Sequence, residues 1–264
     1  MELVTAKDIF AFSDLHGDGP LLEAALALID LLGHPHRLLL VVGDLVDEGP
    51  DSAAVLYRLR ALSEEYPRQV VILLGNHEED WLAWLDAEDS DFAWLSADEA
   101  FVTTRAFLGA EKVARIAAAA ASSPDDLDVF ERINGAVKHA VKTEHADLIE
   151  WVRGLPLFHE TDEQIFVHAG VEEDAGEDWR LVTSDHRLLN KYPPTFGPFI
   201  KTIVAGHVST EPMHGDGSHG IFHDGASHYF LDGDVPKTGV LNVLVYDTTT
   251  KTYEYMAVSS PVKR

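Results

Sequence analysis

Apolar runs alternate with helix-like segments over the first third of the chain. The runs in DIFAFS, RLLLVV and QVVILL each stop at a polar residue or a glycine. Between them, leucines and alanines recur at helical spacing in residues 19–32 and again in residues 52–66. Apolar strands that do not alternate and are joined by helices are typical of a parallel sheet covered on both faces. The pattern therefore predicts βαβ units, with the first helix ending at Gly33.

Residues 78 to about 160 interrupt this rhythm, because the segments there are all helix-like. One of these helices is predicted to start at Ser123, with Pro124 in its first turn. We therefore predict a single domain, residues 1–264, that carries a helical insertion at about 78–160.

Three tryptophans of the insertion, Trp81, Trp84 and Trp94, are candidates for a substrate groove. The spacing of Trp81 and Trp84, next to Leu82 and Leu85, is ordinary core spacing. We favour the interpretation that this helix packs against the sheet.

Strand patterns return in EQIFVHAG, KTIVAGHVS and HYFLDG, and then in GVLNVLVYD and KTYEYMAV, which are separated by a turn-like TTT segment. The last quarter of the chain shows no clear helical pattern, so its strands are expected to be antiparallel. Together with the βαβ units, this predicts an α/β fold with mixed sheets.

Composition limits the kinds of chemistry that the chain can perform. The 264 residues are 46% hydrophobic, which is enough for a sizeable core. The chain contains no cysteine, so any metal must be held by oxygen and imidazole ligands. These ligands favour ions such as Mn, Fe, Zn or Mg.

The charge balance argues against polyanionic partners. A formal net charge of -25 repels nucleic acid and anionic membranes at long range. The N-terminal segment MELVTAKD lacks the features of a signal peptide, and an apolar run of about 18 residues is absent. We expect a cytoplasmic protein with neither nucleic-acid nor membrane partners.

Polar side chains follow five of the apolar strands at the point where each strand ends. They are Asp14 and His16, Asp44 and Asp47, Asn76 and His77, His168, and His207. Ligand sites gather at the carboxyl ends of strands in open α/β sheets. Aspartate, asparagine and histidine suit a pair of divalent ions about 3.5 to 4 Å apart, which lowers the pKa of a bound water and clamps phosphoryl oxygens. The pattern therefore favours phosphate-ester hydrolysis.

The same residues carry a family resemblance. The motifs are DLHG at 14–17, GDLVDEG at 43–49, GNHE at 75–78, HAG at 168–170 and GH at 206–207. In this order they resemble the calcineurin-like metallophosphoesterase superfamily, and within it the phosphoprotein phosphatase branch, which includes bacterial serine/threonine phosphatases and symmetric diadenosine tetraphosphatases. The resemblance implies a layered β-sandwich of mixed sheets flanked by helices.

The resemblance also implies roles for individual residues. Two divalent ions (Mn, Fe or Zn, with Mn expected to support activity in vitro) would be held by six side chains: Asp14, His16, Asp44, Asn76, His168 and His207. Asp44 would bridge both ions. His77 would be the general acid, oriented by Asp47, and Asn76 would also contact the substrate. The implied partner is a phosphorylated protein or small molecule.

Two positions depart from the family pattern. Glu48 stands where the family has an arginine that binds the substrate phosphate. We expect Glu48 to turn aside, and Arg187 to supply a phosphate contact, with Arg180 or Arg105 as alternatives. Ser209 stands where many members of the superfamily have a further histidine, which also favours the phosphoprotein phosphatase branch.

Other polar groups receive plainer interpretations. Asp18, Glu78, Glu79 and Asp80 are expected to be solvated or to cap helices. The histidines at 214, 219, 223 and 228 are interpreted as a loop at the rim of the site, with a further metal site as the alternative.

Three functions remain open from the sequence. The first is a phosphoesterase that attacks phosphomonoesters with a metal-bound hydroxide. The second is a hydrolase of nucleotides or dinucleoside polyphosphates, for which a tryptophan of the insertion would stack a base. The third is a metal-bound scaffold that has lost activity through Glu48; the presence of His77 and Asp47 argues against it, because a structural site needs no proton donor.

Overall fold

The protein contains two five-stranded sheets in the described residues, 3–122 and 128–260, of a computed structural model. The first sheet has the spatial order β10-β9-β1-β2-β3 and the second has the order β4-β5-β6-β8-β7. The strands are β1 (Asp8–Phe12), β2 (Arg37–Val41), β3 (Val70–Ile72), β4 (Phe158–Glu160), β5 (Gln164–Val167), β6 (Thr202–Ala205), β7 (Phe222–His223), β8 (His228–Phe230), β9 (Val240–Asp247) and β10 (Thr252–Ser259). The predicted α/β architecture with mixed sheets is confirmed.

The predicted βαβ units form three of the five strands of the first sheet. Strands β1, β2 and β3 are parallel, and they are joined by α1 (Gly19–Ile29) and α2 (Ser52–Glu65). The end predicted for α1 was wrong by four residues: the helix stops at Ile29, and Asp30 follows in the left-handed conformation. Gly33 instead donates its N–H to the Asp30 carboxylate at 3.1 Å, so the glycine belongs to the turn after the helix.

In the described residues, the segment between β3 and β4 contains helices joined by turns and no strand. It contains α3 (Asn76–Asp86), α4 (Ala93–Ala97), α5 (Val102–Leu108), α6 (Ala110–Ala121), α7 (Val129–Glu144) and α8 (Ala146–Arg153), with a short 3₁₀ turn before α5. The predicted helix start at Ser123 and Pro124 lies outside the described residues. Trp81 and Trp84 are buried in the core, as predicted from their spacing, whereas Trp94 is only half-buried.

The last part of the chain is less uniform than predicted. Strands β9 and β10 form an antiparallel hairpin, as expected. Strand β8, however, runs parallel to β6, because the connection between them, which includes one short helix and strand β7, lets the chain cross before it pairs again. The short helices of this half are α9 (Trp179–Val182), α10 (Asp185–Asn190), α11 (Glu211–His214) and α12 (Val235–Thr238).

Alternation within each strand divides the interior into three apolar clusters. In β1, Phe10 and Phe12 pack against the helices, whereas Ile9 and Ala11 pack between the two sheets. In β5, Phe166 faces the same inter-sheet layer, and its neighbours face the outer cluster. Both faces of these strands are buried, which explains why their sequences are continuously apolar.

The packing of the two sheets determines where the carboxyl ends of the strands lie in space. Because β1, β2 and β3 are parallel in one sheet and β5, β6 and β8 are parallel in the other, the loops after these strands can meet at one edge of the sandwich. Within the described part of the chain, no helix combines the length and apolar character needed to cross a bilayer.

Candidate metal centre

Three loops of the first sheet place the first group of polar side chains. Asp14 and His16 follow β1, Asp44 follows β2, and Asn76 and His77 open α3 directly after β3. Asp14, His16 and Asp44 have φ values of 54°, 45° and 54°, in the left-handed region that non-glycine residues rarely adopt. Backbone strain of this kind clusters at functional sites.

The loops approach one another too closely for a side chain at two glycines. A Cβ atom at Gly75 would lie 2.2 Å from both the backbone nitrogen and Oδ1 of Asp44. A Cβ atom at Gly206 would lie 2.1 Å from Oδ2 of Asp14. Glycine is therefore required where the third and fifth polar loops pack against the buried aspartates.

The six predicted metal ligands converge in two groups that share Asp44. One group joins Asp14, His16 and Asp44, and the other joins Asp44, His168 and His207; within each group the potential ligand atoms lie within 4.8 Å of one another. The two groups have the arrangement that two neighbouring cations with one bridging carboxylate require.

Asn76 completes the second group. Its Oδ1 lies 2.9 Å from Nε2 of His168 and 2.9 Å from Nδ1 of His207. Nε2 of His168 is also 3.3 Å from Oδ1 of Asp44. Oxygen and nitrogen atoms of four side chains from both sheets thus lie close together: Asp44, Asn76, His168 and His207.

Two histidines are held with one ring nitrogen turned away from the centre. Nδ1 of His168 lies 2.9 Å from the carbonyl oxygen of Val42, and Nδ1 of His16 lies 3.2 Å from that of Val46. Each Nδ1–H donates to its carbonyl, so each Nε2 is the ring nitrogen that faces Asp44. A backbone acceptor behind an imidazole is the usual way in which proteins orient a metal-binding histidine.

The electrostatics of the centre fit cations. Burial, together with the charges of Asp232 and Asp44, holds the pKa of Asp14 well above its ordinary value. Burial also raises the pKa of Asp44, but the facing histidines, His168 first, outweigh it and hold that pKa below its ordinary value. Crowded, buried carboxylates repel one another in this way unless positive charge lies between them, so the donor set is suited to metal ions.

His77 lies beside this centre and is held by Asp47. Its Nδ1 is 2.9 Å from Oδ2 of Asp47, and its Nε2 is 3.9 Å from Oδ2 of Asp44. Burial by itself lowers the pKa of His77, but the hydrogen bond with Asp47 and the charges of Asp44 and Asp47 outweigh burial and raise the pKa to about 10. The surroundings of His77 thus favour its protonated form, and its side chain lines the cavity over the metal ligands.

Two supporting residues were missed by sequence reasoning. Thr103, at the start of α5, donates its hydroxyl to Oδ1 of Asp47 at 3.0 Å, so both carboxylate oxygens of Asp47 are held. Thr103 is 56 residues from Asp47, and no local sequence signal marks it. Asp232 lines the centre after β8; its signal was present, since HYFLDG is a further apolar strand ending in an aspartate and a glycine.

Glu78 caps α3, and it also braces the loop that carries Asp44. Its carboxylate accepts the backbone N–H groups of Gly75 at 2.9 Å, Asp44 at 3.0 Å, Leu45 at 2.7 Å and Val46 at 3.0 Å. The predicted capping role is confirmed, as it is for Asp18, which accepts from the N–H of Leu21. The brace across to the second loop was not foreseen.

Glu48 does not turn aside, contrary to the expectation from the sequence. Its carboxylate lies within 4.8 Å of the ring nitrogens of His16 and His77, and it lines the metal-centre cavity. The left-handed backbone at Asp47 and Glu48, with φ of 69° and 63°, directs this side chain back over the centre. A carboxylate therefore faces the centre at the position where the resemblance implied an arginine.

Arg187 is not brought to the centre. It lies in α10, its Nε is 2.8 Å from Oε1 of Glu172, and it does not line the metal-centre cavity. Its predicted contact with substrate stays a prediction.

The histidine-rich loop does not gather its histidines. Among the described residues, only His219 of the four joins a group of potential ligands, with Glu211 and Asp234. His228 instead lies 2.9 Å from the Asp224 carboxylate, and His214 lies 2.9 Å from the carbonyl oxygen of Gly220. Glu211 of the group with His219 and Asp234 is already paired with Lys237, whose ammonium lies 2.8 Å from its carboxylate.

Two ligand groups that share one buried carboxylate, with an imidazole beside them, have the composition of a dinuclear metal hydrolase. Comparison with known sequences identifies the family. The chain belongs to the calcineurin-like phosphoesterase family, whose sequence model matches residues 8–237.

Two curated relatives have the same name. The chain is 29% identical over 162 residues to a symmetrical bis(5'-nucleosyl)-tetraphosphatase of Janthinobacterium sp. (strain Marseille), an alignment that covers 61% of this chain and 43% of the relative. It is 29% identical over 164 residues to the symmetrical bis(5'-nucleosyl)-tetraphosphatase of Bordetella pertussis (strain Tohama I), covering 62% of this chain and 44% of the relative. The chain thus spans less than half the length of these relatives.

Solved structures share the fold at low sequence identity. A putative diadenosine tetraphosphatase superposes with a TM-score of 0.55 at 17% identity, covering 98% of this chain and 96% of the other. A protein serine/threonine phosphatase from Saccharomyces cerevisiae superposes with a TM-score of 0.54 at 14% identity, covering 98% and 82%. These likenesses support the layered sandwich of two mixed sheets.

Proposed function

We propose that the protein is a dinuclear-metal-dependent phosphatase that hydrolyses phosphomonoesters of phosphoserine, phosphothreonine or small molecules. The observation that carries this proposal is the sharing of Asp44 between two ligand groups, with His77 beside them. Two divalent ions, when bound, supply positive charge for the phosphoryl oxygens and activate a water for attack. Mn, Fe and Zn all suit the donor set, and Mn is the ion proposed for activity in vitro.

The proposed roles of the chain's own residues follow from where they lie. Asp14, His16 and Asp44 hold one side of the centre, and Asn76, His168 and His207 hold the other. Asn76 also presents its amide to the substrate. His77 gives its Nε2 proton to the oxygen of the leaving group, and Asp47 keeps the imidazole oriented through Nδ1.

A second candidate function is hydrolysis of dinucleoside polyphosphates. The names of the curated relatives favour it, and the half-buried Trp94 offers an aromatic face within the helical insertion. The two candidates differ in the charge that surrounds the scissile bond, because a dinucleoside tetraphosphate adds several negative charges to the one phosphate that the centre clamps.

A substrate panel decides between these candidates. Purified protein supplemented with manganese is assayed for kcat/KM on a phosphoserine peptide, on p-nitrophenyl phosphate and on diadenosine tetraphosphate. We expect phosphomonoesters to be hydrolysed at least about 10-fold more efficiently, because each added negative charge near the carboxylate of Glu48 costs binding energy. Removing metal with a chelator should abolish turnover, and manganese should restore it.

The reverse order of efficiency would establish the dinucleoside candidate. Failure to turn over any phosphate ester in the presence of manganese would instead leave a metal-binding scaffold.

The proposed contribution of Arg187 has a separate test. If Arg187 contacts the substrate phosphate, Arg187→Ala should lower kcat/KM on a phosphomonoester by about 10-fold or more, since charged hydrogen bonds contribute about 1.5–3 kcal/mol. Steady-state kinetics measure this, with Arg58→Ala as the matched control, because Arg58 pairs with Glu23 and lines neither cavity. Unchanged efficiency would remove Arg187 from the substrate site and leave it as the partner of Glu172.

A further inference from the structure

A large cavity adjoins the metal centre on the side of the helical insertion. Its volume is about 1040 Å³, against about 260 Å³ for the cavity over the metal ligands. His16, Glu48, His77 and Pro236 line both cavities. Because His77 stands at their junction, a phosphoryl group held over Asp44 with its ester oxygen at His77 directs the rest of the ester into the larger cavity. This inference about the leaving group rests on the proposed phosphatase function.

The larger cavity is strongly acidic. Seven Asp or Glu side chains line it, and its lining residues include neither lysine nor arginine. Glu48, Asp51, Asp80, Asp98 and Glu99 form no ion pair with lysine or arginine in the part of the chain that the structure describes.

Some acidic residues elsewhere on the surface are paired with arginine. Arg58 pairs with Glu23 at 2.7 Å, and Arg153 pairs with Asp86 at 2.7 Å. Among the residues that line the cavity, only histidines can carry a positive charge, so a cationic group that enters would meet carboxylates that have no lysine or arginine partner.

An aromatic ring adds a second recognition element. Trp94 lines the cavity, is half-buried, and stacks on the buried Trp84 with ring centroids 4.4 Å apart. The stacking holds the exposed part of the indole in place. Carboxylates beside a fixed indole are the combination that binds ammonium and guanidinium groups, through ion pairing and cation–π attraction.

Glu48 links this cavity to the chemistry. Its carboxylate lies within 4.8 Å of the nitrogens of His16 and His77, at the junction through which the leaving group passes. A negatively charged leaving group would be repelled there, whereas a positively charged one would be attracted.

We propose that the acidic cavity binds the leaving group of the phosphomonoester and that this group carries an ammonium or guanidinium charge. Two sources share that chemistry: a phosphopeptide with basic residues beside its phosphoserine, and a small aminoalkyl phosphate. In both, the phosphate is held at the metal centre and the cationic part of the ester enters the cavity. After hydrolysis, the alcohol that carries the cationic group leaves from this cavity.

The test compares matched substrates that differ only in charge. One arm uses two phosphoserine peptides of equal length, one with lysine and arginine and the other with aspartate and glutamate around the phosphoserine. The other arm uses phosphoethanolamine against 2-phosphoglycolate, which are similar in size. In the arm that contains the protein's own class of substrate, we expect kcat/KM to be at least about 10-fold higher for the cationic member than for the anionic member. We expect this preference to shrink as the salt concentration is raised.

Two variants of the cavity test its contribution. Glu99→Gln and Asp51→Asn each remove one carboxylate that lines the cavity and that the metal centre does not use. Each should reduce the preference for the cationic substrate by a factor of about 2 to 5, while kcat/KM on p-nitrophenyl phosphate stays unchanged. Glu177→Gln is the matched control, because Glu177 is exposed and does not line the cavity.

A binding measurement gives a readout that does not depend on turnover of the charged substrates. The basic peptide with serine in place of phosphoserine should inhibit p-nitrophenyl phosphate hydrolysis competitively, and its acidic counterpart should not.

The outcomes separate this inference from the function on which it rests. Equal efficiency for cationic and anionic members in both arms, with p-nitrophenyl phosphate still hydrolysed, would overturn the cationic leaving group alone. A higher efficiency on diadenosine tetraphosphate than on any phosphomonoester would count against the phosphomonoesterase function, and the inference would fall with it. Loss of all turnover, p-nitrophenyl phosphate included, would count against the phosphatase itself.

Discussion

Asp44→Asn is expected to lower kcat/KM on phosphomonoesters by about 10³-fold or more, because Asp44 is the one carboxylate common to both ligand groups. Asparagine keeps the volume of the buried side chain, which is 3% exposed, and removes its charge. An amide cannot bridge two cations as a carboxylate does, so the loss of several kcal/mol of charge stabilisation follows from one substitution.

Two measurements check the role of Asp44. Metal analysis after equilibrium dialysis should show less than two manganese ions per chain, and kinetics should show the loss at saturating manganese. Asp86→Asn, an aspartate outside the centre, is the control for loss of charge. Circular dichroism establishes that the variant is folded. Wild-type metal content together with wild-type kcat/KM would rule out the bridging role.

His77→Gln is expected to lower kcat by about 10² to 10⁴-fold on esters of alkyl alcohols, because these leaving groups need a proton as the bond to phosphorus breaks. The hydrogen bond with Asp47 and the charges of Asp44 and Asp47 raise the pKa of His77 and so favour the protonated form that this role requires. The loss should be much smaller for p-nitrophenyl phosphate, whose phenolate departs without protonation. KM should change little, since the proton is transferred only in the transition state.

The dependence on the leaving group separates proton transfer from a structural role of His77. A series of aryl and alkyl phosphates gives that dependence, and Asp47→Asn should show the same trend with a smaller loss, because Asp47 acts through His77. Metal content should be unchanged in both variants. An equal loss for all leaving groups, or a loss of metal, would contradict the role of His77 as the general acid.

Local patterns predicted the elements that carry the site. The three parallel strands of the first sheet follow from continuous apolar runs, because such runs can be buried on both faces. The positions of Asp14, Asp44 and Asn76 at strand ends follow from the same runs, since a polar residue after a buried strand must lie at the edge of a sheet. The six predicted ligands are indeed brought together, although their roles stay predictions.

Local sequence patterns could not predict the interactions between distant parts of the chain. Glu78 has an ordinary helix-capping position, and only the fold shows that it also accepts the N–H groups of residues 44 to 46. Thr103 reaches Asp47 from the helical insertion. The parallel pairing of β8 with β6 depends on a crossover whose path the sequence does not specify.

Glu48 shows most clearly what the sequence alone could not predict. The motif alone identified a carboxylate in place of an arginine, and its direction depended on the left-handed backbone at residues 47 and 48 and on the space left open by the insertion. Both depend on packing that no short segment encodes.

The sequence by itself determined which side chains stand at the ends of buried strands and which donor atoms they offer, because burial and period are properties of short segments. Only the tertiary structure decided that these ends meet: the N–H of His207 reaches the carboxylate of Asp14 across 193 residues. It also decided that an acidic cavity opens beside them. The physical reason is that two sheets must pack face to face before loops from both can share one edge, and such contacts between distant segments leave no periodic trace in the chain.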